Sequence, residues 1–438
     1  MGAVMMESFQ RFDIGPFDLT TKRPIQTDSE WREFAGNNAV ADTTNGLYTA
    51  NVAYHTMGIY QDPIVATKKR LGFAINPPNA GQNQSGGGVY GLERLFSTPK
   101  TKYVVGFLAR FKLGTYFTAG TTYNVPQMFE FCAAGRSRLV PNANMQLRYF
   151  VVGGTTAAAQ SVFGADNGSR PAVNWAVMSD AAVGPANPPT FRMKGAADPN
   201  GAGIQLKYDT DHFFECEVDT VAQTLKVWVD DVYAGTAAWN ATYDAGLANG
   251  FQIRHGYCFG QNFVPTADLG GLYISDIYCV DLTDGVVPNT RLGKTTRVMG
   301  EAPDADVSTM FTRPDGFNGN YDVVNDPIVD TSTPTASLSG DGAGAEDMYQ
   351  SAGSTITQFA GTVYAVQIHA RFQNASASSH TLAIPTQDAT TKVDNSLGTI
   401  AAGSGVQMRS VILNKTPSGD AWTPAKAAAL KYGFKIVN

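Results

Sequence analysis

The sequence predicts an all-β protein, and three observations support this fold class. Apolar residues alternate with polar ones at a period of two in many short segments, as in strands with one buried face. Turns are frequent, because the 438 residues include 45 glycines and 22 prolines, and only 16% of the residues are charged. A chain of this length exceeds one small core, so we expect two domains.

The first half of the chain contains the clearest strand patterns. "KYVVGFLARFKL" places Tyr103, Val105, Phe107, Ala109 and Phe111 on one side of a predicted strand. The same alternation recurs in "MQLRYFVV" (145–152) and "GIQLKYD" (203–209). These patterns predict a large antiparallel sandwich.

A β-hairpin is predicted in "HFFECEVDTVAQTLKVWVDDVYAG" (212–235), with its return strand ending in a turn at Asp230 and Asp231. Its first strand alternates between apolar residues and a row of acids at Glu215, Glu217 and Asp219. A second hairpin-like pair is predicted from "GFQIRHGYCFG" (250–260) and "GGLYISDIYCVD" (270–281).

A domain boundary is predicted in the turn-rich segment "LTDGVVPNTRLGKTT" (282–296), which gives domains at 1–284 and 285–438. Strand patterns resume in "GTVYAVQIHARFQN" (361–374) and "GVQMRSVILN" (405–414). Near the end, Thr423 and Pro424 are typical of a helix start, and a strand follows at 432–436. We therefore expect a second, smaller β-sandwich with a short C-terminal helix.

Charge and targeting signals limit the possible partners. The formal net charge of -6 and the absence of a basic patch exclude a nucleic-acid or anionic-membrane surface. Glu7 and Arg11 interrupt the apolar run that a secretory signal needs, and no window is apolar enough to span a bilayer. Four separated cysteines without a C-x-x-C motif indicate buried free thiols, and assembly in a cytoplasm is expected.

The acidic row has two interpretations. Glu215 and Glu217 can be the acid and base of a glycoside hydrolase, because alternate residues of a strand point the same way. Alternatively, the row is the water-facing side of a sandwich, with Lys226 on the return strand as a charge partner. We favour the water-facing interpretation and predict no catalytic residues.

The sequence also contains candidate binding residues for metals and sugars. Asp209, Asp211 and His212 can ligate a hard cation, yet such a segment is at least as often a solvated turn. No zinc spacing, nucleophile elbow or phosphate-binding loop is present in the sequence, so no metal or cofactor is predicted. Trp228 shares its strand face with charged residues and can stack on a sugar ring. The candidate carbohydrate-binding residues are Trp228, Glu215 and Glu217.

Several segments resemble a known family. "FFECEVDTVAQTLKVWVDD" (213–231) is similar to the strand pair of concanavalin A-like and laminin-G jelly rolls. "VMMESFQRFD" (4–13), "GLERLFSTPKTKYVVGFLARFK" (91–112), "GGLYISDIYCVDLTDG" (270–285) and "SGDAWTPAKAAALKYGFKIV" (418–437) resemble segments of tailed-bacteriophage virion structural proteins with that fold.

This resemblance implies a concanavalin A-like jelly-roll sandwich in a non-enzymatic structural component of a bacteriophage particle, in the tail, baseplate, collar/neck or head decoration. The expected partners are other virion structural proteins, in a homo-oligomer or in many copies per particle, and the expected location is the virion. The alternative is a lectin-like carbohydrate-binding module that recognises a receptor such as a host surface glycan. A third hypothesis is a glycoside hydrolase that uses Glu215 and Glu217.

Overall fold

The computed structural model describes residues 2–9, 11, 15–16, 32–37, 55–62, 68–75, 88–113, 127–134, 147–150, 176–179, 190–194, 205–207, 210–238, 245–257, 270–325, 337–340 and 342–438. The first part of the chain forms the strands β1 (Ala3–Glu7), β2 (Gly15–Pro16), β3 (Arg32–Asn37), β4 (His55–Gln61), β5 (Lys69–Ile75), β6 (Gly88–Leu95), β7 (Lys102–Leu113), β8 (Gln127–Ala133), β9 (Leu147–Phe150), β10 (Ala176–Ser179), β11 (Thr190–Lys194), β12 (Gln205–Lys207), β13 (Asp211–Asp219), β14 (Thr224–Val229), β15 (Val232–Ala238), β16 (Gly250–Tyr257) and β17 (Gly270–Asp281).

The second part forms the strands β18 (Pro303–Ser308), β19 (Glu346–Ser351), β20 (Val366–Phe372), β21 (His380–Gln387), β22 (Lys392–Ile400), β23 (Gln407–Leu413) and β24 (Lys431–Ile436). Its helices are α1 (Asn320–Val324), α2 (Ser354–Thr357) and α3 (Pro424–Ala428). The prediction of an all-β, jelly-roll type of fold with a short C-terminal helix is confirmed.

The first unit is built on two main sheets. The large sheet has the strand order β15-β14-β13-β7-β17-β5-β4-β2, and β1 pairs with the far end of β17. The second sheet has the order β3-β6-β16-β8-β9, and β10, β11 and β12 form a small separate sheet. All of these pairings are antiparallel, as the alternating pattern predicts.

The core of the first unit lies on one face of the large sheet. Val105, Phe107, Cys216 and Val218 on this face are fully buried, as are Phe131 and Phe251 of the second sheet. Tyr103 belongs to the same face and donates a hydrogen bond of 2.8 Å from its hydroxyl to the Leu247 carbonyl. Its ring meets Phe96 edge-on, with 4.9 Å between centroids. Aromatic packing and one satisfied hydroxyl thus link the sheets.

The two predicted hairpins have different outcomes. β13 and β14 form the expected hairpin, in register from Phe214–Val229 to Asp219–Thr224. At the end of β14, Asp230 and Asp231 both have positive φ, as a two-residue hairpin turn to β15 requires. The second predicted pair is wrong: β16 lies in the second sheet, whereas β17 lies in the large sheet. Alternation identifies strands but does not identify their partners.

The second unit has its own core. A five-stranded sheet, β18-β19-β24-β21-β22, faces the two-stranded sheet β20-β23, and apolar residues of both are buried together. Trp422 is buried among them, and its indole N–H donates to the Leu413 carbonyl at 2.8 Å. Thr423 caps α3 by accepting from the Lys426 N–H at 3.2 Å. The predicted helix start and last strand are therefore present.

Residues 282–302, all of which are described, form no helix or strand between the two units. Residues 291–298 of this segment, here called the strap, lie on the large sheet. The units also meet at β1, where the Ala3 N–H donates to Asn414 Oδ1 at 2.9 Å and the Met6 N–H donates to Gln367 Oε1 at 2.7 Å. The boundary at 284/285 remains a prediction.

Cys216 and Cys279 are buried free thiols, as predicted for them. Burial raises the pKa of both. The Cys132 side chain and Cys258 lie outside the described residues. Among the helices of the described part of the chain, none has the length and apolar character needed to cross a membrane.

Candidate functional site

The candidate site lies on the outer face of the large sheet, opposite the sandwich core. The acidic row of β13 is on this face, because Glu215, Glu217 and Asp219 alternate with the buried core residues of the same strand. Toward the start of the strand the face continues to Asp211. The strap crosses the face and divides it into two areas.

Glu215 is buried under the strap, with 1% of its surface exposed. One carboxylate oxygen, Oε1, accepts from the Leu292 and Gly293 N–H groups at 3.0 Å each and from the Tyr278 hydroxyl. The other, Oε2, pairs with the Arg291 guanidinium. The expectation that Glu215 faces water is therefore wrong, because four donors and the strap enclose it.

The space for this network depends on a glycine. Gly106 of β7 lies directly opposite both Glu215 and Tyr278 in the sheet. A Cβ atom at Gly106 would lie 2.1 Å from Tyr278 Cε1, so a larger residue would displace the ring. Burial raises the pKa of Tyr278, and the Glu215 charge raises it further, so its hydroxyl remains a donor.

The rest of the acidic row forms ion pairs at the surface. Glu217 lies between Lys102, at 3.4 Å, and Lys226, at 3.5 Å. Burial lowers the pKa of Lys102, but the charges of Glu217 and Asp219 raise it overall. Such partly exposed pairs contribute about 0–1 kcal/mol each. Glu215 and Glu217 thus do not form an open acid–base pair.

Trp228 is half-buried beside the strap. The Arg291 guanidinium carbon lies 4.3 Å from the centroid of the indole ring, a cation–π contact. The ring of Tyr233 on the edge strand β15 lies 5.5 Å away, and Tyr233 is 53% exposed. The strap therefore shields part of Trp228, whereas Tyr233 is open to solvent. The role of Trp228, Glu215 and Glu217 in sugar binding remains a prediction.

Beyond the strap lies a group of four charged side chains, here called the arginine cluster: Asp62, Arg70, Arg110 and Asp211. Arg70 donates two hydrogen bonds of 2.7 Å to the two carboxylate oxygens of Asp211, and it also pairs with Asp62. Arg110 Nε donates to Asp211 Oδ1 at 3.0 Å. Burial alone would raise the pKa of Asp211, but the two arginines lower it overall.

One donor of the arginine cluster is unused. Arg110 is 4% exposed, and its Nη2 is buried without a hydrogen-bond partner in the described part of the chain. The Asp211 side chain next to it is accessible, because 30% of its surface is exposed. A buried donor without a partner costs about 1–3 kcal/mol unless water or a ligand satisfies it.

Two tyrosines border the arginine cluster. Tyr273 is paired with Arg110 across β17 and β7, and Tyr60 is paired with Arg70 across β4 and β5. Their rings meet at 84°, with 5.6 Å between centroids. The cluster therefore combines donors, an accessible acceptor and aromatic rings on one face.

Sequence reasoning missed the arginine cluster, although one signal was present. Arg110 interrupts the apolar alternation of "VVGFLARF" at an outward position. The partners Asp62 and Arg70 come from distant strands, and no local pattern links them to β13.

Two of the three residues that can ligate a hard cation, Asp211 and His212, make other contacts. Asp211 is held by arginines, and His212 Nδ1 lies 2.7 Å from Asp230 Oδ2. Asp209 lies outside the described residues. Within the ranges that are described, no group of three or more His, Cys, Asp or Glu side chains could hold a metal ion.

Comparisons with solved structures show similarity in fold only. A sialidase aligns with 53% of this chain at 13% identity and a TM-score of 0.27, and this chain spans only 16% of that protein. A GH131 β-glucanase catalytic domain from Podospora anserina aligns over 62% of this chain and 93% of its own, at 12% identity and a TM-score of 0.32.

Domain 4 of a GH43 extracellular arabinanase from Geobacillus stearothermophilus, solved with arabinotriose, aligns over 64% of this chain and 92% of its own. Its identity is 11% and its TM-score 0.24. No family model matches this sequence, and no curated protein does. At such low identities and TM-scores these likenesses assign no substrate.

These comparisons correct one prediction and leave another without support. The prediction that the chain is not an enzyme is contradicted, because the similar structures are mostly glycoside hydrolases and polysaccharide lyases. None of the structures named here is a virion protein, so the virion role, its partners and its location remain predictions from the resemblance.

Proposed function

We propose that this protein binds a carbohydrate at the arginine cluster. The observation that carries the proposal is the unused Arg110 Nη2 beside the exposed part of the Asp211 carboxylate. A sugar with neighbouring hydroxyls can accept from the guanidinium and donate to the carboxylate. Such a ligand supplies the partner that the buried donor lacks.

The surroundings of the two groups suit a sugar ring. Asp211 is fixed by the paired hydrogen bonds from Arg70, so a ligand meets it in a set orientation. Tyr60 and Tyr273 add aromatic surface, which packs against the apolar side of a sugar. Specificity in such sites comes from a few placed polar groups, and this cluster has them.

Binding to immobilised polysaccharides, followed by titration calorimetry of the glycans that bind, tests this proposal. We expect Asp211→Asn to weaken binding about tenfold or more, because a charge-assisted hydrogen bond to the ligand is lost. Tyr273→Ala perturbs the same site without removing a charge and is also expected to weaken binding. Trp228→Ala, on the other side of the strap, is the matched control and is expected to leave affinity unchanged.

Two outcomes contradict the proposal. If the wild-type chain binds none of a broad set of neutral and acidic polysaccharides, the protein does not have this function. If Trp228→Ala abolishes binding while the folded Asp211→Asn variant retains it, the sugar binds near Tyr233 and the arginine cluster has only a structural role.

A further inference from the structure

A cavity of about 1650 Å³ lies between the strap, the N-terminal strand and the second unit, and we call it the interunit cleft. Ligand sites typically enclose about 300–1,000 Å³, so the interunit cleft has room for a small molecule. It lies apart from the arginine cluster. Its walls are apolar near Ile356, Phe311 and Phe434, and elsewhere they include polar and charged side chains, among them Arg297 and Arg371.

Glu301 is the unusual group of the interunit cleft. Its Oε1 accepts from the Thr355 and Ile356 N–H groups, at 2.8 and 3.2 Å, and so holds the start of α2. Its Oε2 is buried and has no hydrogen-bond partner among the residues that the structure describes. One oxygen of a fixed carboxylate is thus left without a donor.

Neighbouring hydroxyl groups make this corner of the interunit cleft polar. Tyr432 and Ser351 both line the cleft and lie close to each other. Burial raises the pKa of Tyr432, and the nearby negative charge of Glu301 raises it further. The tyrosine therefore stays neutral and adds no second negative charge beside the Glu301 carboxylate.

We propose that the interunit cleft binds a small molecule that carries a primary ammonium group on an apolar body, with the ammonium at Glu301 Oε2. An ammonium is favoured over a neutral hydroxyl, because it donates to the carboxylate and also neutralises its charge. The apolar body packs against the walls near Phe311 and Phe434. This site does not depend on carbohydrate binding at the arginine cluster.

The test compares 2-phenylethylamine with 2-phenylethanol, two probes of similar shape, by ligand-observed NMR and titration calorimetry on the full chain. We expect the amine to bind about tenfold tighter than the alcohol. Glu301→Gln should abolish this preference, whereas the surface variant Glu217→Gln should preserve it. Because the comparison of probes uses the wild-type chain, it remains decisive if the Glu301→Gln variant does not fold.

Equal affinity for the two probes, or no binding of the amine to the wild-type chain, would overturn the proposal. A preference for the amine that persists in folded Glu301→Gln would also overturn it, because the ammonium would then be bound elsewhere. Polysaccharide binding by Glu301→Gln should match that of the wild-type chain. A failure of either proposal can therefore be distinguished from a failure of the other.

Discussion

Replacing Glu215 tests whether this residue holds the strap on the large sheet or faces the solvent. Glu215→Ala leaves the Arg291 guanidinium, the Tyr278 hydroxyl and two backbone N–H groups without their shared acceptor. Breaking a buried charge pair in this way costs about 3–5 kcal/mol in the free energy of unfolding. Glu215→Gln keeps an acceptor at Oε1 but turns an amide donor toward Arg291, so we expect a loss of about 2–3 kcal/mol.

Glu217 is the matched control, because it occupies the same strand face two residues away and forms only partly exposed ion pairs. Glu217→Gln should change the free energy of unfolding by about 0–1 kcal/mol. Urea titrations followed by tryptophan fluorescence measure these changes in the free energy of unfolding. Each change is obtained from the shift in the urea midpoint, provided that the slope m is the same for all variants. Equal midpoints for Glu215→Gln and Glu217→Gln would refute the reasoning, since Glu215 would then face water.

Two further predictions concern pH and helix capping. The lowered pKa of Asp211 means that its ion pairs with Arg70 and Arg110 stabilise the fold above its unfolded pKa of about 4, and that this stabilisation is lost as the pH falls below that value. Between about pH 4 and pH 2, the thermal stability of Asp211→Asn should therefore fall less than that of the wild-type chain. An equal fall in the two proteins would contradict the ion-pair assignment. Thr423→Ala should lower the free energy of unfolding of the second unit by about 1 kcal/mol, whereas Thr423→Ser, which keeps the acceptor for Lys426, should retain it in urea titrations. Equal losses in the two variants would contradict capping by the side chain.

Local chemistry could be predicted from the sequence, as two regions illustrate. The β13–β14 hairpin is specified by its own alternation and its Asp-Asp turn, and both are present in the structure. The start of α3 is likewise specified within a few residues by Thr423 and Pro424. In these regions the interactions that decide the structure lie close together in the chain.

Long-range contacts could not be predicted in the same way. Glu215 has the sequence pattern of a water-facing residue, and it is buried only because a segment 76 or more residues later crosses its strand. The arginine cluster has the same origin, since Arg70 and Asp211 are 141 residues apart. The period-two pattern predicts which face of the sheet a side chain occupies. It does not predict which segment, from later in the chain, covers that face.

The N-terminal strand β1 has a consequence for the order in which the chain can fold during synthesis. Its backbone pairs with β17 on one side, and on the other side Ala3 and Met6 donate to Asn414 and Gln367. These acceptors leave the ribosome hundreds of residues after β1, at the translation rates typical of cells some tens of seconds later. The contacts of β1 are thus completed only long after β1 itself has been made.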